Sequence, residues 1–320
     1  MVNSKLIFLT SYFLSLFLSQ IEQFEIPLFK NEFYIQIQRI VEISEASHEN
    51  SIKYYNNAEN LLLKILGLQN FKPSKKPVNI KNFKESFQVS SRLDAEYYQR
   101  KYDDIENRIR QFGKFEKIKN IRTANYRGLQ PVYIDNGELD VINSRHILET
   151  TLDYDSFEKT HKENWDLQKR ARVFKGDILT YTTGAKIGRT QVYLPDKKAL
   201  ASNHVNILRL KNGINSSYVA FAMNSFVGRL QTEKFCAGSA QVELYPKDID
   251  EFIIPLIDEA DQLKIQNLIE ESFRLKKQSE HLLELAKIAV EKAIEEDEET
   301  AMEFINLEVE KIGYKDLLIN

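Results

Sequence analysis

Two stretches of this chain are copies of each other, and this duplication restricts the possible folds more than any other feature of the sequence. Counted from Phe24, the residues Phe24, Ile26, Pro27, Leu28, Ile37, Gln38 and Glu42 recur 228 positions later as Phe252, Ile254, Pro255, Leu256, Ile265, Gln266 and Glu270. Each copy is a short extended piece that ends near a proline and leads into a long helix. A fixed offset over this length indicates one duplicated supersecondary unit that brackets a single central region.

The helix in each copy carries a heptad pattern of small and apolar residues at its a and d positions. The two rows begin at Ile265 and Leu268 in the second copy and at Ile37 and Ile40 in the first. A single such helix could be an ordinary amphipathic core helix, whereas two copies in one register favour helices that pair with each other. The residues that we expect in this contact are Ile37, Ile40, Ala58, Leu61, Ile265, Leu268, Leu275, Leu282 and Ala286.

The charge of the chain is divided unevenly along its length. The net charge is −3 over 320 residues, yet residues 113–250 hold 21 Lys and Arg against 16 Asp and Glu. A basic centre between acidic helical arms suits a centre that faces nucleic acid and arms that face protein. The lone Cys236 excludes an intrachain disulfide framework and is more typical of a small core residue. It fits a reducing compartment, and we expect a cytoplasmic protein.

The amino-terminal segment has two interpretations. Lys5 followed by the apolar run over residues 6–18 resembles a secretory signal. However, residues 19–22 offer no small-x-small cleavage site, and the run is too short to span a bilayer. We therefore interpret residues 1–18 as the remnant of an upstream domain, with a signal as the alternative.

Turn residues and a second helical pattern separate the first long helix from the centre. Pro73 and Pro77 lie in a Lys-rich and Asn-rich stretch that predicts a linker. Ser91 and Asp94 then form a capping signal for an amphipathic helix that Gly113 closes. The linker therefore leads into a new domain near residue 93.

Beyond that helix the pattern changes to short alternating segments that predict strands. Residues 132–134 and 139–142 flank an Asp-Asn-Gly turn and predict a β-hairpin. Further strands are predicted over residues 177–182, 191–194 and 205–210, and a helix over 216–232. The acidic run that begins at Glu295 predicts a solvated helix end followed by a tail.

Residues that could carry catalysis are few. Residues 184–189 resemble a phosphate-binding loop only loosely, because the Gly-Lys-Ser/Thr ending is missing. The sequence has no Asn-Pro-Pro-aromatic stretch for amino methylation and no His/Cys cluster with metal-ligand spacing. His146, His161 and His204 are scattered along the chain, as surface or core histidines are. We therefore expect no catalytic residue and no metal site.

Binding chemistry is concentrated in the predicted loops of the centre. Arg and Lys can bridge the two acceptors of guanine, Asn and Gln can pair with adenine, and Ser beside glycine can reach phosphates. The alternative for each residue is that polar side chains occupy loops simply because loops are solvated. The candidates for DNA contact, chosen by loop position and hydrogen-bonding capacity, are Arg127, Gln130, Asn143, Arg145, Lys186, Arg189, Asn203, Ser239 and Gln241.

A series of motifs in a fixed order resembles one known family. In chain order the motifs are residues 91–98 (SRLDAEYY), 127–131 (RGLQP), 141–144 (VINS), 175–179 (KGDIL), 183–189 (TGAKIGR), 237–241 (AGSAQ), 247–249 (KDI) and 254–256 (IPL). They are similar to motifs of target recognition domains in the specificity (S) subunits of type I restriction-modification enzymes. The resemblance runs from about residue 19 to residue 296 and includes the duplicated helix.

The resemblance implies an α+β protein. One mixed, strand-rich target recognition domain would be flanked by two long helices that pair as an antiparallel coiled coil. Specificity subunits of this family read double-stranded DNA, dock methyltransferase (M) and restriction (R) subunits, and are not catalytic themselves. The resemblance also implies that S-adenosylmethionine, ATP and Mg²⁺ bind partner subunits, so we expect no cofactor on this chain. We expect no membrane partner.

The chain departs from the family pattern of two recognition domains, because both helices are present with only one domain. Roughly 30 helical residues at about 1.5 Å each span about 45 Å, comparable with the ~34–36 Å between half-sites of dimeric readers. Paired helices could therefore act as a ruler, and a second copy or another specificity fragment could supply the other domain. The predicted division is a remnant (1–18), a first conserved helical region (19–68), a linker (69–92), the target recognition domain (93–250), a second conserved helical region (251–296) and an acidic C-terminal tail (297–320).

Two other functions stay open at this point. One is a protein-interaction module in which the paired helices are the working surface and the central domain is degenerate. The other is a Mg²⁺-dependent nuclease of unrecognised type. DNA preference and cleavage by the isolated chain distinguish these from a DNA reader.

Overall fold

The computed structural model describes residues 27–236 and 242–312. These residues form two compact units: the bundle unit, of residues 27–46 and 278–312, and the sheet unit, of residues 47–236 and 242–277. The predicted remnant over residues 1–18 lies outside the described part. No helix within the described part is long and apolar enough to cross a bilayer.

Two long helices and several short ones make up the helical part of the described chain. The α-helices are α1 (Asn31–Ile65), α2 (Phe87–Ser90), α3 (Arg100–Phe112), α4 (Ile118–Ile121), α5 (Asn164–Leu167), α6 (Ser216–Asn224), α7 (Phe226–Cys236), α8 (Pro246–Ile249), α9 (Glu259–Glu295) and α10 (Glu298–Ile312). Single 3₁₀ turns lie at Ala95–Tyr98, Ser144–His146 and Lys169–Ala171.

The strands all lie in the sheet unit and form small sheets. They are β1 (Phe115–Lys117), β2 (Arg122–Arg127), β3 (Leu139–Ile142), β4 (Glu158–Thr160), β5 (Arg172–Val173), β6 (Ile178–Tyr181), β7 (Thr190–Val192), β8 (Ala199–Ala201), β9 (Val205–Leu210) and β10 (Ile253–Pro255). Two four-stranded sheets have the orders β2-β9-β6-β7 and β4-β3-β8-β5, and β1 pairs with β10. All of these pairs are antiparallel except β3 with β8. The chain is therefore an α+β protein, as predicted.

The long helices α1 and α9 pair as an antiparallel coiled coil, and serines make their closest contacts. In the bundle unit the Ser44 hydroxyl donates to the backbone carbonyl of Ser279 at 2.8 Å. In the sheet unit the Ser272 hydroxyl donates to the carbonyl of Ser51 at 2.8 Å. The two hydrogen bonds are equivalent under the duplication, because at the 228-residue offset Ser44 corresponds to Ser272 and Ser51 to Ser279. Bonds from a side chain to a facing backbone require small residues here, since a larger residue would keep the helices apart.

The predicted contact residues of the two helices differ in burial. Ile37, Leu61 and Leu268 are half-buried and pack against the cores of their units. Leu62 and Ile269, one position further along, are buried instead, because a 3.6-residue turn drifts against a strict seven-residue repeat. The remaining six are buried: Ile40, Ala58, Ile265, Leu275, Leu282 and Ala286.

A third helix completes the core of the bundle unit. Ala301, Ile305 and Val309 recur once per turn on α10 and are fully buried. They lie in one apolar cluster with α1 and α9, to which Phe33 and Leu282 contribute. The predicted acidic tail is therefore wrong for residues 298–312, which form a packed helix. The acidic residues dominated the prediction although the apolar residues between them have helical spacing.

The sheet unit has its main core where helices α6 and α7 meet the paired helices. The ring of Tyr55 on α1 lies edge-on to Phe221, with centroids 5.8 Å apart. The Glu59 carboxylate accepts hydrogen bonds from the Phe226 amide at 2.6 Å and from Arg229 at 2.9 Å. Since that amide belongs to the first turn of α7, Glu59 satisfies a donor that the helix itself leaves unpaired.

One predicted hairpin is wrong. Residues 132–134 are not a strand, and β3 pairs with β4 rather than with them. The Ile134 amide donates to the carbonyl of Lys159 at 2.9 Å, and the Thr160 hydroxyl donates to the carbonyl of Val132 at 2.7 Å. The segment before the Asp-Asn-Gly turn therefore lies against β4, a partner that is distant in sequence.

Two predicted helices differ from the observed ones at their ends. Asp94 makes no cap, because its carboxylate binds the Arg92 guanidinium at 2.6 and 2.8 Å. The chain instead makes one 3₁₀ turn, and α3 begins at Arg100. The helix predicted over residues 216–232 is divided at Ser225, whose extended backbone separates α6 from α7.

Candidate nucleic-acid interface

Strand ends from both four-stranded sheets meet on one side of the sheet unit. Strands β2 and β6 end at Arg127 and Tyr181, and their shared antiparallel partner β9 begins at Val205. The Thr182 amide donates to the carbonyl of His204 at 3.1 Å. The loops after β2 and β6 and the loop before β9 therefore lie together.

The other sheet contributes loops to the same side. Since β3 and β8 are parallel, their carboxyl ends lie together, and the Ser202 amide donates to the carbonyl of Ile142 at 2.9 Å. The Leu129 amide donates to the carbonyl of Ala201 at 3.1 Å. Only glycine fits at Gly128, because a Cβ there would overlap the same carbonyl. We name these joined loops the loop edge: residues 127–130, 143–146, 182–189, 202–204 and 243–247.

Arg127 lies at the loop edge and holds another part of it in place. Its guanidinium lies 3.5 Å from the Glu243 carboxylate, donates to the carbonyl of Leu244 at 3.2 Å and stacks 4.9 Å from the Tyr245 ring centroid. A hydrogen bond from Tyr245 and the charge of Arg127 lower the pKa of Glu243. Because its terminal nitrogens bond within the protein and its Nε is buried, Arg127 positions residues 243–245 and is poorly placed to bind a base edge.

Asn143 and Arg145 also have structural partners. The Asn143 side chain accepts the Arg145 amide at 3.0 Å and so caps the 3₁₀ turn. The Asn143 amide in turn donates to Nδ1 of the buried His146 at 3.0 Å, and burial lowers the pKa of this histidine. The Arg145 guanidinium pairs with Glu158. Of Asn143 and Arg145, only Arg145 combines an exposed position with a donor group that could exchange partners.

The loop of residues 182–189 presents one free and one paired cation. Lys186 is exposed and makes no ion pair with any described residue. Arg189 lies 3.9 Å from Glu149, at the limit of an ion pair. Gly188 has a positive φ of 88°, and a Cβ there would overlap Thr232. The glycine therefore allows the loop to pack closely while Lys186 stays at its tip.

Two amide side chains are exposed at the loop edge. Asn203 lies at the tip of the loop before β9, and Gln130 follows the closely packed Gly128. The Gln130 amide nitrogen donates only to the adjacent Pro131 carbonyl, at 3.2 Å. Each side chain offers both a donor and an acceptor, which is the combination that adenine presents in the major groove.

The remaining candidates and the missed residues lie around residues 237–247. Ser239 and Gln241 are outside the described part of the chain. Tyr245 and Lys247 were not predicted, yet the Lys247 ammonium lies 5.8 Å from the Tyr245 ring, on which Arg127 also stacks. The sequence signal was an aromatic residue two positions before a lysine. In the described part, no group of three or more His, Cys, Asp or Glu could hold a metal ion.

A match to a family model shows which family this chain belongs to. The model of the type I restriction modification DNA specificity domain matches residues 108–285, which is more than half of the chain. The chain belongs to this family. The family predicted from the motifs is thereby confirmed, and the match includes every described residue of the loop edge. No curated protein sequence matches this specificity-domain chain.

Three solved structures are similar at low identity. A structure from work on "complex assembly" and "conformational transition of the type I R-M system" is 12% identical, with 83% of this chain and 60% of that chain covered and a TM-score of 0.39. The HsdS subunit from Thermoanaerobacter tengcongensis is 12% identical, with 83% and 57% covered and a TM-score of 0.39. The type I S subunit from M. genitalium is 10% identical, with 80% and 56% covered and a TM-score of 0.45. This chain spans 56–60% of the length of these proteins.

Proposed function

We propose that this chain is the DNA sequence-specificity component of a type I restriction-modification complex and that it carries a single target recognition domain. The observation that carries the proposal is the loop edge, where Gln130, Lys186 and Asn203 are exposed and retain free hydrogen-bonding groups. The family match over residues 108–285 supports it, because this family is defined by DNA specificity. The sheet unit would therefore place the loop edge against double-stranded DNA.

The residues of the loop edge divide into two roles in this proposal. Gln130 and Asn203 would read base edges, since amide groups can form paired bonds to adenine. Lys186 would bind guanine or phosphate directly, and Arg145 and Arg189 would do so after exchanging their carboxylate partners. Arg127 and Asn143 would position loops, because their polar groups already bond to the protein. Ser239 and Gln241 remain candidates for DNA contact in the adjoining segment.

The paired helices α1 and α9 would dock methyltransferase subunits and, through them, the restriction subunit. The chain itself would be non-catalytic, with S-adenosylmethionine, ATP and Mg²⁺ bound by those partners. One recognition domain would read one half of a bipartite site. A second copy of the chain or another specificity fragment would read the other half.

Selection from a random duplex pool tests this function. The purified chain, alone and with its methyltransferase subunit, should enrich one short sequence. Gln130→Ala and Asn203→Ala should relax the enriched sequence, each at its own position, with a loss of about 1–3 kcal/mol of discrimination. Asn212→Ala is a matched amide control at an exposed position beyond the opposite end of β9, and it should leave the sequence unchanged. A wild-type chain that binds its partner but enriches no sequence would contradict the proposal.

A further inference from the structure

A second cationic surface adjoins the loop edge, and no residue of it was among the predicted DNA contacts. Two cations lie near the Trp165 ring, with the Arg172 guanidinium 4.7 Å and the Lys198 ammonium 5.1 Å from its centroid. Arg170 lies 5.7 Å from the ring of Tyr126. We name this surface the cation–aromatic strip: Tyr126, Trp165, Lys169, Arg170, Arg172 and Lys198.

Strand topology places one end of the strip at the loop edge. Strand β5 begins at Arg172 and runs antiparallel to β8, with Arg172 opposite Leu200. The residues just before β5 therefore lie beside the carboxyl end of β8, where the loop edge begins. The contact of Arg170 with Tyr126 agrees with this position, because Tyr126 immediately precedes Arg127.

The inner part of the strip is held rigidly. Arg172 donates to the Trp165 carbonyl at 2.6 Å and to the Asp166 carboxylate at 2.7 Å. These bonds link the start of β5 to α5 and fix the connection between them, including the 3₁₀ turn at Lys169–Ala171. Ala171 within that turn is buried, so its neighbours Lys169 and Arg170 point to solvent from an anchored backbone.

Two cations of the strip differ from the arginines of the loop edge. At the loop edge, Arg127, Arg145 and Arg189 each lie near a carboxylate of the protein. Lys169 and Arg170 are exposed and pair with no carboxylate among the described residues. Cations without an internal partner can neutralise phosphates without first losing an ion pair, and most hydrogen bonds between protein and DNA go to the backbone.

From this arrangement we propose that Lys169 and Arg170 bind backbone phosphates of the duplex whose bases the loop edge reads. The inference rests on the proposed function. The Tyr126 ring lies beside the Arg170 guanidinium, and the strip carries no sequence information of its own. Its position beside the loop edge favours the same DNA duplex over an acidic protein surface as its ligand.

The test is the salt dependence of duplex binding. Lys169→Ala/Arg170→Ala should weaken binding to all duplexes alike and reduce the slope of log K against log salt by about 1.8, the value for two phosphate contacts. The matched control is Lys75→Ala/Lys76→Ala, which removes the same charge from two adjacent exposed positions between α1 and α2. It should change the slope little. Lys169→Gln/Arg170→Gln removes the charges but keeps longer side chains than alanine. It should reduce the salt slope as the alanine variant does, because the slope depends on charge.

The outcomes separate the two proposals. A wild-type chain without any duplex binding would overturn the proposed function. Wild-type binding with an unchanged slope in the double variant would overturn the strip alone. A changed recognition sequence in the double variant, or a loss of methyltransferase binding with normal DNA binding, would also overturn it, because the strip would then read bases or bind protein.

Discussion

The two copies of the duplicated helix bury the same face against different structures. In the sheet unit, Ile265 and Ile269 on α9 lie in one core with residues of α3, α6 and α7. Their counterparts at the 228-residue offset, Ile37 and Val41, lie in the bundle unit, in a core completed by α10. In the bundle unit, one 15-residue helix, α10, therefore covers the face of the duplicated helix. In the sheet unit, the corresponding face is covered by several helices.

The comparison extends to the partner helix in each unit. Ala58 and Leu62 pack in the sheet unit, and their counterparts Ala286 and Val290 pack in the bundle unit. The duplication therefore determines which face of each helix is apolar, but not what covers it. In the bundle unit, α10 buries a face that would otherwise be an exposed apolar patch and a liability for association.

The largest expected effect comes from breaking the cover in the bundle unit. Ile305→Asp would place a carboxylate in the α10 contact and should lower the free energy of unfolding by about 3–5 kcal/mol. Leu307→Asp is the matched control, since Leu307 is 57% exposed on the same helix. It should change stability by no more than about 0.5 kcal/mol. Chemical denaturation with hydrogen exchange of α10 measures both, and equal effects would contradict the packing of α10.

Counterpart positions on the two helices should show a smaller difference. Leu62→Ala removes a side chain that is fully buried in the core of the sheet unit and should lower the free energy of unfolding by about 2–5 kcal/mol. Val290→Ala, at the corresponding half-buried position, should cost about 1 kcal/mol or less. Denaturant titrations of both variants measure the difference. A larger loss of stability in Val290→Ala would contradict the account, because it would mean that Val290 is more deeply buried than Leu62.

The paired serines should respond alike in the two units. Ser44→Ala and Ser272→Ala each remove one hydroxyl that donates to a facing carbonyl, and each should cost about 1 kcal/mol. Ser51→Ala and Ser279→Ala should cost less, since no hydrogen bond from these hydroxyls to a facing carbonyl is seen among the described contacts. Thermal unfolding of the four variants tests this symmetry. Strongly unequal losses of stability in Ser44→Ala and Ser272→Ala would contradict it.

The smallest effect concerns the start of α10. The Thr300 amide donates to the Asp297 carboxylate at 2.8 Å, and this bond lowers the pKa of Asp297 from 3.8. The contribution is present above pH 3.8 and is lost as the pH falls through the lower pKa of the folded state. Asp297→Ala should therefore weaken α10 at neutral pH and make its stability less sensitive to acid. Hydrogen exchange of α10 across this pH range measures the change.

The sequence predicted the elements whose evidence is local. The heptads located α1 and α9, and the alternating segments located β6 and β9 to within a residue or two. The failures involve partners distant in sequence: residues 132–134 lie against β4, and Asp94 binds Arg92 instead of capping a helix. Residues 298–312 look like a solvated tail until the face that they cover is known.

The same limit applies to the candidate interface. Loop position alone selected residues that the fold brings to one side, from Arg127 to Asn203, because strand ends on one side of a sheet must lie together. Loop position could not show that Arg127 pairs with Glu243, which is far along the chain, or that Arg145 pairs with Glu158. It also missed Lys169 and Arg170, whose importance depends on lacking such partners.

The most direct test of the central claim is to map methylated bases in DNA from cells that contain the methyltransferase subunit with this chain. Single-molecule sequencing should show methylation at one defined sequence that disappears without the chain and relaxes in Gln130→Ala/Asn203→Ala. A symmetric sequence would mean that two copies read it, and an asymmetric one that another fragment supplies the other half. Methylation at the same sequence with and without the chain would contradict the claim that this chain determines specificity.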